Sequence, residues 1–190
     1  MTPKTTLLAA LSMSSLALAA PGSGPTAQVK RGEYLVSFGG CHDCHTPKKM
    51  GPKGPELDDE RRLSGHPEQM AVTPAPALEA PWLAATVGSM TAWSGPWGIS
   101  YAANLTPDRE TGLGSWTEQN FVDTMRTGRH MGRGRPVLPP MPWQMVGKLD
   151  DQDLKAVFAY LRTLPTVKNR VPQQTPPASA SASAGPAPAK

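Results

Sequence analysis

The sequence predicts an all-α domain of a few helices with a long irregular Pro/Gly-rich insertion, and three observations support that class. Two segments, within residues 115–128 and 150–165, carry apolar residues at helical spacing between recognisable start and stop signals, and a third, about 29–37, leads into the only two cysteines. The 190 residues include 22 prolines and 18 glycines with only 6% aromatics, a balance that favours loops over long regular elements. Between His45 and Tyr101 neither the helical nor the strand period is sustained; a compact domain tolerates so long a stretch only where it wraps something.

In chain order, residues 1–20 combine Lys4, an apolar run and an Ala17-Leu18-Ala19 ending, the pattern of a secretory leader cleaved near Ala19 or Ala20. Ser12, Ser14 and Ser15 break the run, leaving it short of the ~20 apolar residues a membrane span needs. The expected product is therefore exported to the periplasm, without a membrane span after cleavage. Removing the leader takes away one lysine and no acid, so the formal charge falls from +4 to +3. That balance, with no aromatics interleaved among the clustered Arg126, Arg129, Arg133 and Arg135, gives no reason to expect nucleic acid.

The folded domain is expected over residues 28–170. Its first helix covers about Val29 to Ser37, with Tyr34, Leu35 and Phe38 expected to face the last helix. In the irregular stretch that follows, Trp82, Trp93 and Trp97 are expected to anchor the chain to the core. Ser115 and Glu118 have capping-box spacing before Phe121, Val122 and Met125, and Gly128 stops that helix. Asp150 caps the last helix, Leu154, Val157, Phe158 and Leu161 form one stripe, and Pro165 ends it. Residues 171–190, rich in Pro, Ala and Ser, bury too little to offset the entropy of ordering them and are expected to form a disordered tail.

The chemistry lies in GGCHDCHTP. On a helical turn Cys41, Cys44 and His45 are spaced i, i+3 and i+4 and converge on one side, while His42 and Asp43 point elsewhere. A zinc site needs further ligands, and outside the motif only His66 and His130 remain, in unrelated contexts. A thioredoxin-like pair needs a strand before it and a helix after it; here a helix precedes and Thr46-Pro47 follows. A disulfide across three residues closes too small a loop to stabilise much. Haem attachment uses all three groups, with two thioethers to the macrocycle and an imidazole on the iron. For the opposite axial position Met141 in LPPMPW is the preferred candidate, since flanking prolines fix an extended backbone without amide donors. Met131 and Met145 are its nearest rivals, His130 would serve a bis-histidine arrangement, and Met125 reads as core. Arginines of TGRHMGRGRP, or the indoles of Trp116 or Trp143, are candidates for the haem propionates.

With these residues in view, RGEYLVSFGGCHDCHTP resembles the amino-terminal helix and attachment site of class I monohaem cytochromes c, and LPPMPW followed by LDDQDLKAVFAYLRTLP resembles their methionine loop and carboxy-terminal helix. NLTPDRETGLGSWTEQNFVDTMRTGRH is similar to segments of the multihaem cytochrome subunits of periplasmic alcohol and gluconate dehydrogenases. The resemblance covers about residues 28–170, thinly between His45 and Tyr101. It implies a class I cytochrome c fold around one covalently bound haem c, with Cys41 and Cys44 as thioethers, His45 as proximal ligand and Met141 as distal ligand. Those subunits carry three attachment motifs and this chain has one, so it is not expected to be such a subunit itself.

The function expected is that of a carrier of single electrons between redox proteins, a periplasmic dehydrogenase or a terminal oxidase among them, and not of an enzyme. Two alternatives stand beside it. One is a haem enzyme whose sixth site is open or labile, peroxidase-like or acting on a sulfur substrate. The other is an electron-accepting module dedicated to one periplasmic dehydrogenase.

Overall fold

The computed structural model describes residues 25–72 and 77–177. The leader read over residues 1–20 and the tail beyond 177 lie outside the described residues. Three longer helices form the core: α1 (Pro25–Phe38), α3 (Glu118–Thr127) and α5 (Asp151–Leu161), with two short ones, α2 (Cys41–His45) and α4 (Trp143–Val146). Among the described residues no helix is long and apolar enough to cross a membrane.

The α5 stripe is buried as its spacing requires: Leu154, Val157, Phe158 and Leu161 are at most 7% exposed. Asp150 caps the helix, its carboxylate accepting the Asp153 amide at 2.7 Å. The helix stops at Leu161, ahead of Pro165, and Arg162 then donates to the carbonyls of Leu113 (3.0 Å) and Gly114 (2.7 Å). Phe121 of α3 tilts against Phe158 with ring centroids 5.5 Å apart. The capping box of α3 falls two residues later than Ser115-x-x-Glu118: Thr117 accepts from the Asn120 amide and the Asn120 side chain accepts from the Thr117 amide, each at 3.1 Å. Gly128 ends the helix in the left-handed region, as expected (φ 65°).

α1 begins at Pro25, earlier than the expected Val29, and of the three residues expected to face inward only Leu35 packs against the core. Val36 is fully buried, whereas Tyr34 and Phe38 are 55% and 79% exposed and stack on each other at the surface. The contact with α5 is made at Gly32, where a Cβ would lie 1.9 Å from the Ala156 carbonyl oxygen. The helices therefore cross backbone to backbone, which only glycine permits.

The all-α expectation fails between His45 and Tyr101, where the structure has two small antiparallel sheets. β1 (Lys48–Gly51) pairs with β2 (Gly54–Leu57), with Gly51 opposite Gly54. β3 (Ala85–Thr86), β4 (Ala92–Gly95) and β5 (Gly98–Tyr101) form a sheet in that order. Strands of two to four residues are too short to display an alternation, and their register comes from tight turns instead. Trp93 and Trp97 are half-buried on this sheet, but Trp82 is 74% exposed and anchors nothing.

The expected tail boundary at 171 also moves. Within residues 171–177, Thr175 exchanges backbone hydrogen bonds with Ile99 of β5 at 2.9 and 3.0 Å. Pairing to an existing strand supplies the hydrogen bonds that a Pro-rich segment cannot make within itself. Just before it, Asn169 is completely buried and its side chain uses four hydrogen bonds: it donates to the carbonyls of Ser64 (2.7 Å) and His66 (2.9 Å) and accepts from the Glu68 amide (2.9 Å) and Arg61 (3.0 Å).

Candidate haem-attachment site

The turn bearing the motif is built by two glycines. Gly39 closes α1 on the Leu35 carbonyl (2.8 Å), and Gly40, at φ 66°, reverses the chain and caps α2 while its carbonyl accepts from the Asp43 amide at 3.0 Å. The left-handed conformation explains the glycine at 40, since an L side chain there is strained. α2 then presents Cys41, Cys44 and His45 on one side of a single helical turn. Cys41 packs against the main core cluster, and both cysteines are free and half-buried.

His45 is buried, and its ring is held by one specific contact: Nδ1 lies 2.8 Å from the carbonyl oxygen of Ala103. A carbonyl only accepts, so Nδ1 carries the proton and Nε2 carries the lone pair. Burial lowers the pKa of this imidazole, which keeps it neutral and a Lewis base. The Ala103 carbonyl is itself placed by a small scaffold. Gly65 donates to the His45 carbonyl (2.8 Å), His66 to the Ala102 carbonyl (2.9 Å) and Leu105 to the Leu63 carbonyl (2.9 Å), while Thr46 Oγ1 accepts from the Leu63 amide (2.9 Å). Asn169 grips this 63–66 loop from the other side through the Ser64 and His66 carbonyls. None of these partners was legible in the sequence, because the decisive atoms are backbone carbonyls some 60 residues away from the motif.

This donor set fits a c-type haem: two cysteines on one turn for thioethers, followed by an imidazole whose Nε2 lone pair is set by the hydrogen bond at Nδ1. It fits the competing chemistries poorly. Burial pushes the Cys41 thiol up to about 11 and raises Cys44 as well. A redox pair or a zinc site uses thiolates, which arise where the pKa is lowered. His66, a conceivable zinc partner, has both nitrogens engaged, Nε2 with the Met70 carbonyl and Nδ1 with the Thr91 hydroxyl, each at 2.9 Å.

The other candidates separate clearly. Met141 is half-buried and packs against the same core cluster as Cys41. Met125 is core, as read, while Met145 is exposed and Met131 lies in the turn after α3 at φ 52°. His130 stands edge-on to Trp116, centroids 4.9 Å apart. Of the arginines considered for propionates, Arg126 bonds the Gly147 carbonyl and Asp151, Arg129 the Gly134 carbonyl and Arg135 Gln174. Those three are engaged within the fold. The Trp143 ring lies over Gly128, where a Cβ would come within 2.3 Å of it.

Comparison with known proteins identifies the family. The family model described as cytochrome c matches residues 29–165. The chain is 30% identical over 134 residues to the alcohol dehydrogenase (quinone) cytochrome c subunit of Gluconobacter oxydans, covering 70% of this chain and 21% of that one. It is 29% identical over 157 residues to the gluconate 2-dehydrogenase cytochrome c subunit of Pantoea cypripedii, covering 83% and 28%. It is 26% identical over 143 residues to the fructose dehydrogenase cytochrome subunit of Gluconobacter japonicus, covering 75% and 22%. The chain thus spans between 21% and 28% of the length of these three relatives.

Proposed function

Because the chain belongs to the cytochrome c family, we propose that it carries single electrons between periplasmic redox proteins through one haem c, held by Cys41, Cys44, His45 and Met141. Covalently bound haem follows from family membership, and the naming of the relatives as cytochrome subunits of dehydrogenases favours electron transfer over catalysis. The observation that carries the reading is the His45 geometry: a buried, neutral imidazole locked through Nδ1 with its Nε2 lone pair available.

When bound, the haem supplies the one-electron chemistry. The residues of this chain do the rest. Cys41 and Cys44 would hold it by two bonds from the α2 turn. The Ala103 carbonyl holds His45 in one tautomer and one orientation, raising the basicity of Nε2. The core around Val36, Leu63 and Leu154 excludes water, so little has to rearrange when the charge changes. Met141 as a second iron ligand would favour a higher potential than histidine would. Export rests on the leader pattern of residues 1–20, and a dehydrogenase is the electron donor favoured by the names of the relatives, which include gluconate, fructose and quinone-linked alcohol dehydrogenases.

The test is rapid mixing of the ferrous protein with a small oxidant and, separately, of the ferric protein with hydrogen peroxide. A carrier is oxidised reversibly in one step and leaves peroxide unconsumed. Peroxide turnover with a bound donor would instead identify a haem enzyme with an open sixth site.

A further inference from the structure

The loop that carries Met141 is held from below by β5. Ser100, 7% exposed, donates its hydroxyl to the Pro139 carbonyl at 2.5 Å, two residues before Met141, and accepts from the Trp97 indole Nε1 at 3.2 Å. The hydroxyl's single proton is thereby committed to Pro139, and the indole bond behind it polarises the Ser100 oxygen in the same direction. Trp97 is fixed in turn by lying over Gly95, where a Cβ would meet the ring at 2.6 Å.

β5 has two sides to hold. Along one it pairs with β4, and along the other Ile99 meets Thr175 through the two backbone hydrogen bonds given above. The approach is close: a Cβ on Gly98 would lie 2.0 Å from the Thr175 carbonyl oxygen. The neighbouring Gln174 accepts from Arg135 at 3.1 Å, and Arg135 lies in the 129–137 loop that leads into Pro139. Residues 174–175 therefore touch both the strand that supports the methionine loop and the loop's own approach.

We infer that Ser100 is a positioning residue for Met141, and that residues 174–175 act as a strap holding Ser100 and the methionine loop in register. The inference rests on the reading of Met141 as the distal ligand. Loosening either contact leaves the attachment motif untouched but makes Met141 easier to displace from the iron. One buried hydrogen bond corresponds to about tenfold in such an equilibrium.

The experiment uses the holo-protein with its haem: full-length chain, Ser100→Ala, Ser100→Thr, a chain ending at Gln173 and a control chain ending at Pro177. Two quantities are read in the ferric state, the methionine-to-iron charge-transfer band and the affinity for imidazole, which competes with methionine. Ser100→Ala and the chain ending at Gln173 are expected to bind imidazole about tenfold tighter, while Ser100→Thr and the Pro177 control match the full-length protein. A change under threefold in Ser100→Ala overturns the role of Ser100, and one under threefold in the chain ending at Gln173 overturns the strap. Absence of the charge-transfer band from the full-length protein would overturn the Met141 reading itself.

Discussion

The crossing of α1 and α5 makes a prediction whose sign is informative. Gly32→Ala would ordinarily stabilise a helix, by about 1 kcal/mol in intrinsic propensity. Here the added Cβ would sit 1.9 Å from the Ala156 carbonyl oxygen, 2.6 Å from its carbon and 2.8 Å from the Tyr160 Cβ. Carbon and oxygen approach to about 3.3 Å, so the helices would have to part by roughly 1.4 Å. The obstacle is mostly backbone, which no change of rotamer relieves. Overpacking of this kind costs about 1–3 kcal/mol or more, and separating two helices that share a core lies at the upper end. The net expectation is a loss of about 2 kcal/mol. In a guanidinium titration of the ferric holo-protein followed by far-UV circular dichroism, that lowers the midpoint by about 0.5 M with the slope unchanged. A midpoint that stays put or rises would refute the backbone-to-backbone crossing.

Three further expectations follow from other parts of the fold. Asn169→Leu should cost more than about 3 kcal/mol in the same titration, because the Ser64 and His66 carbonyls and the Glu68 amide lose their buried partner. Thr117→Ala should cost about 1 kcal/mol through loss of the α3 cap, with the haem spectrum unchanged. Burial lowers the His66 pKa, so the unfolded chain takes up a proton more readily than the folded one. The resulting stability is complete above about pH 6.5 and is lost as pH falls through the lowered folded value. His66→Gln should reduce the slope of stability against pH below 6.5 by up to about 1.4 kcal/mol per pH unit, and an unchanged slope would show that His66 does not stay neutral in the fold.

What the sequence disclosed depended on the range of the interaction. α3 and α5 were legible because their buried stripes repeat within eleven residues; the Asp150 cap of α5 was read in place, whereas that of α3 lies at Thr117 and Asn120, two residues beyond the Ser115 and Glu118 that were read. Cys41, Cys44 and His45 could be grouped from the sequence because they fall within one short helix, α2. The inward face of α1 was misread in part: Leu35 packs inward as read, but hydropathy also favours Tyr34 and Phe38, while the close contact with α5 is made by Gly32, which has no side chain to signal it. The sheets between His45 and Tyr101 left no pattern because their strands are too short to alternate. The Ala103 carbonyl, the Asn169 grip and the pairing of Thr175 with Ile99 are long-range contacts made largely by backbone, which any residue type offers equally. Asn169 stands between Lys168 and Arg170, where nothing nearby marks it as buried.

The central claim is that Cys41, Cys44 and His45 hold one haem covalently. A pyridine haemochrome spectrum with metal analysis, taken on protein after extraction with acidified acetone, tests it most directly. The expected result is one haem c and one iron per chain that resist extraction, and none retained in Cys41→Ser/Cys44→Ser. Haem that leaves with the acetone, or a colourless protein containing zinc, would contradict it.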